Sequence, residues 1–140
     1  MKKRLIIAIS MAITLLIVGC SNLTSPALQG FYQSSMLNGY HIQFAFQNDD
    51  STFVAYINNI EINKGTYESL GDRNYILKGD TAELKINLEK NDSFNLNIEN
   101  LVKNLNEGKP IQLKNINKTP SYFDQTFSDE DKQNVENLFK

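Results

Sequence analysis

Seven stretches of this chain place an apolar residue at every second position, and that period constrains the fold more than any other feature. Tyr40, Ile42, Phe44 and Phe46 alternate with His41, Gln43, Ala45 and Gln47. Phe53, Ala55 and Ile57 alternate less cleanly with Val54 and Tyr56, and Ile60 and Ile62 with Glu61 and Asn63. Tyr75 and Leu77 stand either side of Ile76, between Asn74 and Lys78. Ala82, Leu84, Ile86 and Leu88 alternate with Glu83, Lys85 and Asn87. Phe94, Leu96 and Ile98 alternate with Asn95, Asn97 and Glu99, and Ile111 and Leu113 with Gln112 and Lys114. Successive side chains of a strand point to opposite faces, so this period marks strands with one dry face and one wet face.

Turn formers punctuate the runs: Asn38-Gly39, Asn48-Asp49-Asp50, Gly71-Asp72, Gly79-Asp80, Asn91-Asp92, and Gly108 before Pro110. A first strand near Leu28 to Ser34 brings the total to about eight. Short turns join antiparallel neighbours. A sheet this wide with one apolar face buries that face by curling on itself. The expected fold is therefore all-β: an antiparallel up-and-down barrel of about eight strands over residues 28–140. A two-sheet sandwich produces the same pattern.

The period changes at the tail. Ser128-Asp129-Glu130-Asp131 resembles a capping box with Asp in place of Glu, and Val135, Leu138 and Phe139 follow at helical spacing. A short helix is expected over 128–139, laying that stripe on the outer wall of the barrel, with Phe127 beside it. Tyr122 and Phe123 are expected to pack over one barrel end, with a ligand role as the alternative.

Residues 1–19 have the layout of an export signal. Lys2, Lys3 and Arg4 precede an apolar run from Leu5 to Val18, broken only by Ser10 and Thr14. That run is 14 residues long, short of the roughly 20 that a membrane-crossing helix needs. Leu16-Ile17-Val18-Gly19-Cys20-Ser21 resembles the bacterial lipobox. The resemblance implies that the Cys20 thiol receives a diacylglyceryl group, with acyl chains such as palmitate, before cleavage after Gly19. An ordinary secretory signal that happens to contain a Cys is the alternative. Cys20 is the only Cys in the chain, so no disulfide can form within it. One acyl chain holds a protein only marginally, whereas two anchor it stably.

Residues 20–27 then form the lipidated Cys and a short polar tether. Seven extended residues, at about 3.3–3.6 Å each, keep the folded part within roughly 25 Å of the membrane. The expected location is the cell membrane, outward-facing and lipid-anchored. Removing residues 1–19 lowers the 14 basic residues to 11 against 16 acidic ones, a net charge of −5. A mildly acidic domain with mixed charges excludes the basic face that nucleic acid requires.

A barrel of eight short-linked strands with a late helix is similar to the lipocalins. Gly30-Phe31-Tyr32 resembles the Gly-x-Trp that opens their first strand, with Tyr32 in the Trp place. Gly65-Thr66-Tyr67, followed by Gly71-Asp72-Arg73-Asn74-Tyr75, resembles a mid-chain step of small bacterial lipocalin-like lipoproteins. Lipocalins often set an Arg near the last strand against that Trp; the nearest basic residues here are Lys114 and Lys118.

Residues suited to catalysis are few. His41 is the only His, and its polar neighbours Gln43 and Gln47 place it on the wet face. With one His and a lipidated Cys, a His/Cys metal site is unavailable. No Gly-x-Ser-x-Gly elbow or phosphate-cradling glycine loop is present. Asp49, Asp50, Asp72, Asp80 and Asp92 fall at turns, where Asp bonds nearby backbone. No cofactor, metal or catalytic residue is assigned, and a non-enzymatic monomer is expected. The lipocalin resemblance implies a small apolar or amphipathic ligand in the interior, beside Tyr32, Tyr40, Phe44, Phe46, Phe53 and Phe94. The alternative is an interaction, inhibitor or immunity module with a filled barrel that meets an envelope protein through its outer face.

Overall fold

In the computed structural model, which describes residues 26–140, eight strands and two helices follow one another. The strands are β1 (Gly30–Ser34), β2 (Ile42–Gln47), β3 (Thr52–Ile57), β4 (Ile60–Gly71), β5 (Asn74–Gly79), β6 (Glu83–Asn87), β7 (Ser93–Leu96) and β8 (Ile111–Asn117). Helix α1 (Glu99–Asn106) lies between β7 and β8, and α2 (Asp129–Asn137) ends the chain. All ladders are antiparallel, in the order β6-β5-β4-β3-β2-β1-β8-β7. Each pair joins sequence neighbours except β1 with β8, which brings the sheet round on itself. The result is an up-and-down barrel, nearly closed, with one seam between β6 and β7. The sandwich alternative is excluded.

Tight two-residue turns set two of the hairpins. Asn58 and Asn59 (φ 49° and 67°) join β3 to β4, and Asp72 and Arg73 (φ 51° and 61°) join β4 to β5. Positive φ at both central residues gives the twist that antiparallel strands need. Gly30 has φ +97°, and a Cβ there would stand 2.2 Å from the Asn117 carbonyl oxygen, so only glycine lets β1 approach the end of β8.

Alternation holds along most strands. Tyr32, Ile42, Phe44, Phe46, Phe53, Ala55, Ile57, Leu77, Phe94, Ile111 and Leu113 are buried in one core. Among the described residues, every ladder and the main core lie within 28–139. A bulge in β4 opposite Ala55 and Tyr56 breaks the rule locally. It turns Asn63 inward, where its amide donates to the Ala82 carbonyl (3.0 Å) and accepts from the Thr81 N–H (3.1 Å). A Cβ on Gly79 would stand 2.2 Å from that amide, so Asn63 fills the space that glycine leaves.

Three expectations need correction. The alternation through Phe94 and Leu96 does not continue at Ile98: the strand ends at Leu96, and α1 begins at Glu99, burying Leu101, Val102 and Leu105. Helix α2 does form, with Ser128 Oγ accepting from the Asp131 N–H (3.1 Å), but it does not lie on the outer wall. Val135 joins the main core, and the Asn100 and Asn104 amides donate to the Phe139 and Leu138 carbonyls, both at 3.0 Å. The two helices thus sit side by side over one barrel end. The third correction is the converse. Phe123 covers the outer wall, against Phe31 (5.8 Å between ring centres) and Tyr56 (5.1 Å), while Tyr122 is 54% exposed. Phe31, Ala45, Val54 and Tyr56 make the outer faces of β1–β3 apolar, and that patch takes the aromatic cover.

Candidate functional site

Five of the six residues expected to line a ligand come together inside the barrel. Tyr32, Phe44, Phe46, Phe53 and Phe94 are all at most 1% exposed, and they pack on one another. Phe46 meets Tyr32 edge-on at 5.5 Å and Tyr67 at 5.4 Å, and Phe44 meets Phe94 edge-on at 5.7 Å. Eight strands enclose a space that side chains can just fill, and here aromatic rings fill it. A cavity beside Phe44, Leu84, Leu96 and Phe139 measures about 50 Å³ and shares Ile62, Thr81, Ala82 and Phe139 with the larger cleft described below. Tyr40 stands apart. It precedes β2, pairs its backbone with Leu37 across the Asn38-Gly39 turn, and is half-buried at the helix end.

Polar groups close the opposite end. Tyr32 Oη donates to Asp92 Oδ1 at 2.5 Å, and Lys118 Nζ pairs with Asp92 Oδ2. Lys118 therefore reaches the Tyr32 ring through a carboxylate bridge. Asp92 gets there because it adopts φ 59° in the turn before β7, which is more than the backbone capping expected of a turn Asp. Burial, and then the Asp92 bond, push the Tyr32 phenol well above its ordinary range. Tyr67 Oη donates to the Leu28 carbonyl (3.0 Å), and burial pushes its phenol up to about 12. Both phenols are therefore protonated donors at neutral pH. Asp50 behaves as a turn residue, accepting from the Thr52 N–H (3.2 Å) and Oγ1 (2.6 Å).

His41 lies just before β2, half-buried, with Nδ1 3.1 Å from the Ser34 carbonyl oxygen. Gln43, expected on the wet face, is 5% exposed; its amide donates to Asn59 Oδ1 (2.9 Å) and accepts from the Asn59 N–H (2.9 Å). These contacts make His41 and Gln43 part of the helix-end turns. Among the described residues no three His, Cys, Asp or Glu side chains converge on one point.

The space missing from the interior appears outside it. A cleft of about 660 Å³ runs from the β3–β4 turn across to α2, beneath the segment that carries Phe123. Ile60, Ile62 and Val135 form its floor, and the half-buried rings of Phe123, Phe127 and Phe139 border it. Glu61, Asp124, Lys132 and Glu136 ring it with charge. Of these residues only Phe123 was weighed from sequence for a ligand role. The available signal was the helical spacing of Val135 and Phe139 together with Phe123 and Phe127, more aromatic surface than a nine-residue helix can bury alone.

Comparison of the chain with protein-family models, with curated proteins and with solved structures gave no match. Cys20 lies outside the described residues. Among those residues no helix is long and apolar enough to cross a membrane.

Proposed function

We propose that this protein is an exported lipoprotein, held at the outer face of the cell membrane through Cys20. In this reading it binds a small amphipathic ligand, without catalysis, in the cleft beneath its C-terminal segment. The observation that carries it is the contrast of volumes: about 50 Å³ for the cavity beside Phe44 against about 660 Å³ for the cleft between β4 and α2. Ligand sites of roughly 300–1,000 Å³, mostly apolar with a few polar groups, are the usual size for small molecules. The lipocalin-like architecture then serves as a rigid post, and the ligand sits at one end of it.

The path of the tether supports the same arrangement. Leu28 and Gln29 enter the fold at the end formed by the Asn48–Ser51 and Asp72-Arg73 turns, where Tyr67 and Asn115 hold their carbonyls. Cys20 precedes Pro26 by six residues, a reach of about 20 Å at 3.3–3.6 Å per residue. An acylated Cys20 keeps the turn end near the bilayer, and the cleft, at the opposite end, opens away from it. The ligand accordingly arrives from outside the membrane.

Native mass spectrometry of protein extracted from its own host tests the reading. A bound small molecule is expected in the unaltered protein and is expected to be lost from Phe139→Asp. Full occupancy in that variant counts against the cleft. An interaction module is the second reading, and the filled interior favours it as well. Capture experiments with the Cys20→Ala protein test it, and repeated failure to retain an envelope partner counts against it.

A further inference from the structure

We infer that the ligand of this cleft is a small cationic amphiphile: an apolar body carrying an ammonium or guanidinium group. This rests on the cleft being the binding site and adds the charge of the occupant. Three carboxylates line the cleft, Glu61, Asp124 and Glu136, against the single ammonium of Lys132. Only Glu61 is already neutralised, by Lys64 Nζ at 2.9 Å. Asp124 and Glu136 have no ion-pair partner among the described residues, and both are exposed.

The surroundings have the same sign. Helix α2 carries Asp129, Glu130, Asp131 and Glu136 against Lys132 alone. Asp131 borders the adjoining pocket, which shares Ile60, Phe127 and Val135 with the cleft. An apolar floor with half-buried phenylalanine rings selects an apolar body. Those ring faces also attract a cation, most strongly where water is partly excluded. An anionic head in the same position would face unpaired carboxylates.

Exposed ion pairs each add at most about fivefold in affinity, so two unpaired carboxylates give a preference of about tenfold for cation over anion. That preference weakens as salt shortens the screening length to about 8 Å at physiological strength.

The test uses the mature chain from residue 20 with Cys20→Ser, titrated with submicellar decyltrimethylammonium, decyl sulfate and decyl maltoside. Backbone amide shifts in the NMR spectrum report both affinity and site. The cationic probe is expected to shift residues 60–62, 123–127 and 132–139 and to bind about tenfold more tightly than the anionic one. Asp124→Asn with Glu136→Gln is expected to abolish the preference, bringing the cationic probe down to the affinity of the anionic one. Equal binding of all three probes at the cleft overturns the inference and leaves the cleft as the site. Absence of shifts at the cleft with every probe overturns both.

Discussion

Phe46→Ala is the most demanding test of a filled interior. The Phe46 ring is fully buried and touches five others, Tyr32, Phe44, Phe53, Tyr67 and Phe94, with ring centres 5.4 to 6.3 Å away. Truncating a buried Phe to Ala costs about 3–5 kcal/mol from lost transfer energy and the cavity left behind. Edge-on and stacked ring pairs contribute about 0.5–1.5 kcal/mol each beyond their area. Five such pairs place Phe46 at the upper end, about 4–5 kcal/mol. Strands on both sides are locked by ladders, so the site cannot collapse to recover the loss. Against a total of about 5–15 kcal/mol for a domain, that loss removes from about a third to nearly all of the stability. The chain has no Trp, so urea unfolding followed by tyrosine fluorescence and far-ultraviolet circular dichroism is the suitable assay. The midpoint is expected to fall with the slope unchanged. A loss under about 1.5 kcal/mol, in the range of a mere volume-conserving swap, refutes the argument and implies a hollow barrel that tolerates a missing ring.

Tyr32→Phe removes the donor to Asp92 and leaves a carboxylate with Lys118 as its remaining partner; a loss of about 1.5–3 kcal/mol is expected by denaturant titration. Gly30→Ala forces a Cβ to within 2.2 Å of the Asn117 carbonyl oxygen at φ +97°, so β1 and β8 must separate, and amide exchange is expected to rise at their shared ladder before any other. Because the Tyr67 phenol is raised to about 12 in the fold, the folded state holds a proton that the unfolded chain releases above about pH 10. Its contribution is complete below pH 10 and is lost as pH rises toward 12, and Tyr67→Phe is expected to flatten that alkaline decline in a thermal-melt series. Cys20→Ala is expected to leave the protein unprocessed or released into the medium; normal membrane retention, checked by cell fractionation, refutes lipid anchoring.

The barrel was legible because two-residue periodicity survives in nearly every strand and because Asn-Gly and Asp-containing turns separate them. Closure followed from width and one-sidedness alone. Helix α1 was hidden for a local reason. Ile98 stands at its N-cap with no side-chain cap, and the alternation of Phe94 and Leu96 runs straight into it. Its traces were Leu101, Val102 and Leu105 at helical spacing, and Gly108 after Glu107 in the left-handed conformation. The uneven alternation at Val54 and Tyr56 had a cause of its own: these residues face outward and form the wall that Phe123 covers. Ring packing inside the barrel depends on diameter and rotamers, which alternation does not encode. So five of the six aromatic residues expected to line a ligand do lie indoors, Tyr40 excepted, while the space they left there could not be read. The cleft joins the β3–β4 turn to residues more than sixty positions later, a juxtaposition that only the path of the C-terminal segment creates.

Ligand and core are expected to occupy separate places, and intermolecular nuclear Overhauser effects from a bound amphiphile locate the ligand directly. Contacts from its alkyl protons to the rings of Phe123, Phe127 and Phe139, with none to Phe44, Phe46, Phe53 or Phe94, are the expected result. The opposite pattern, chain protons among the interior rings and silence at the cleft, contradicts it.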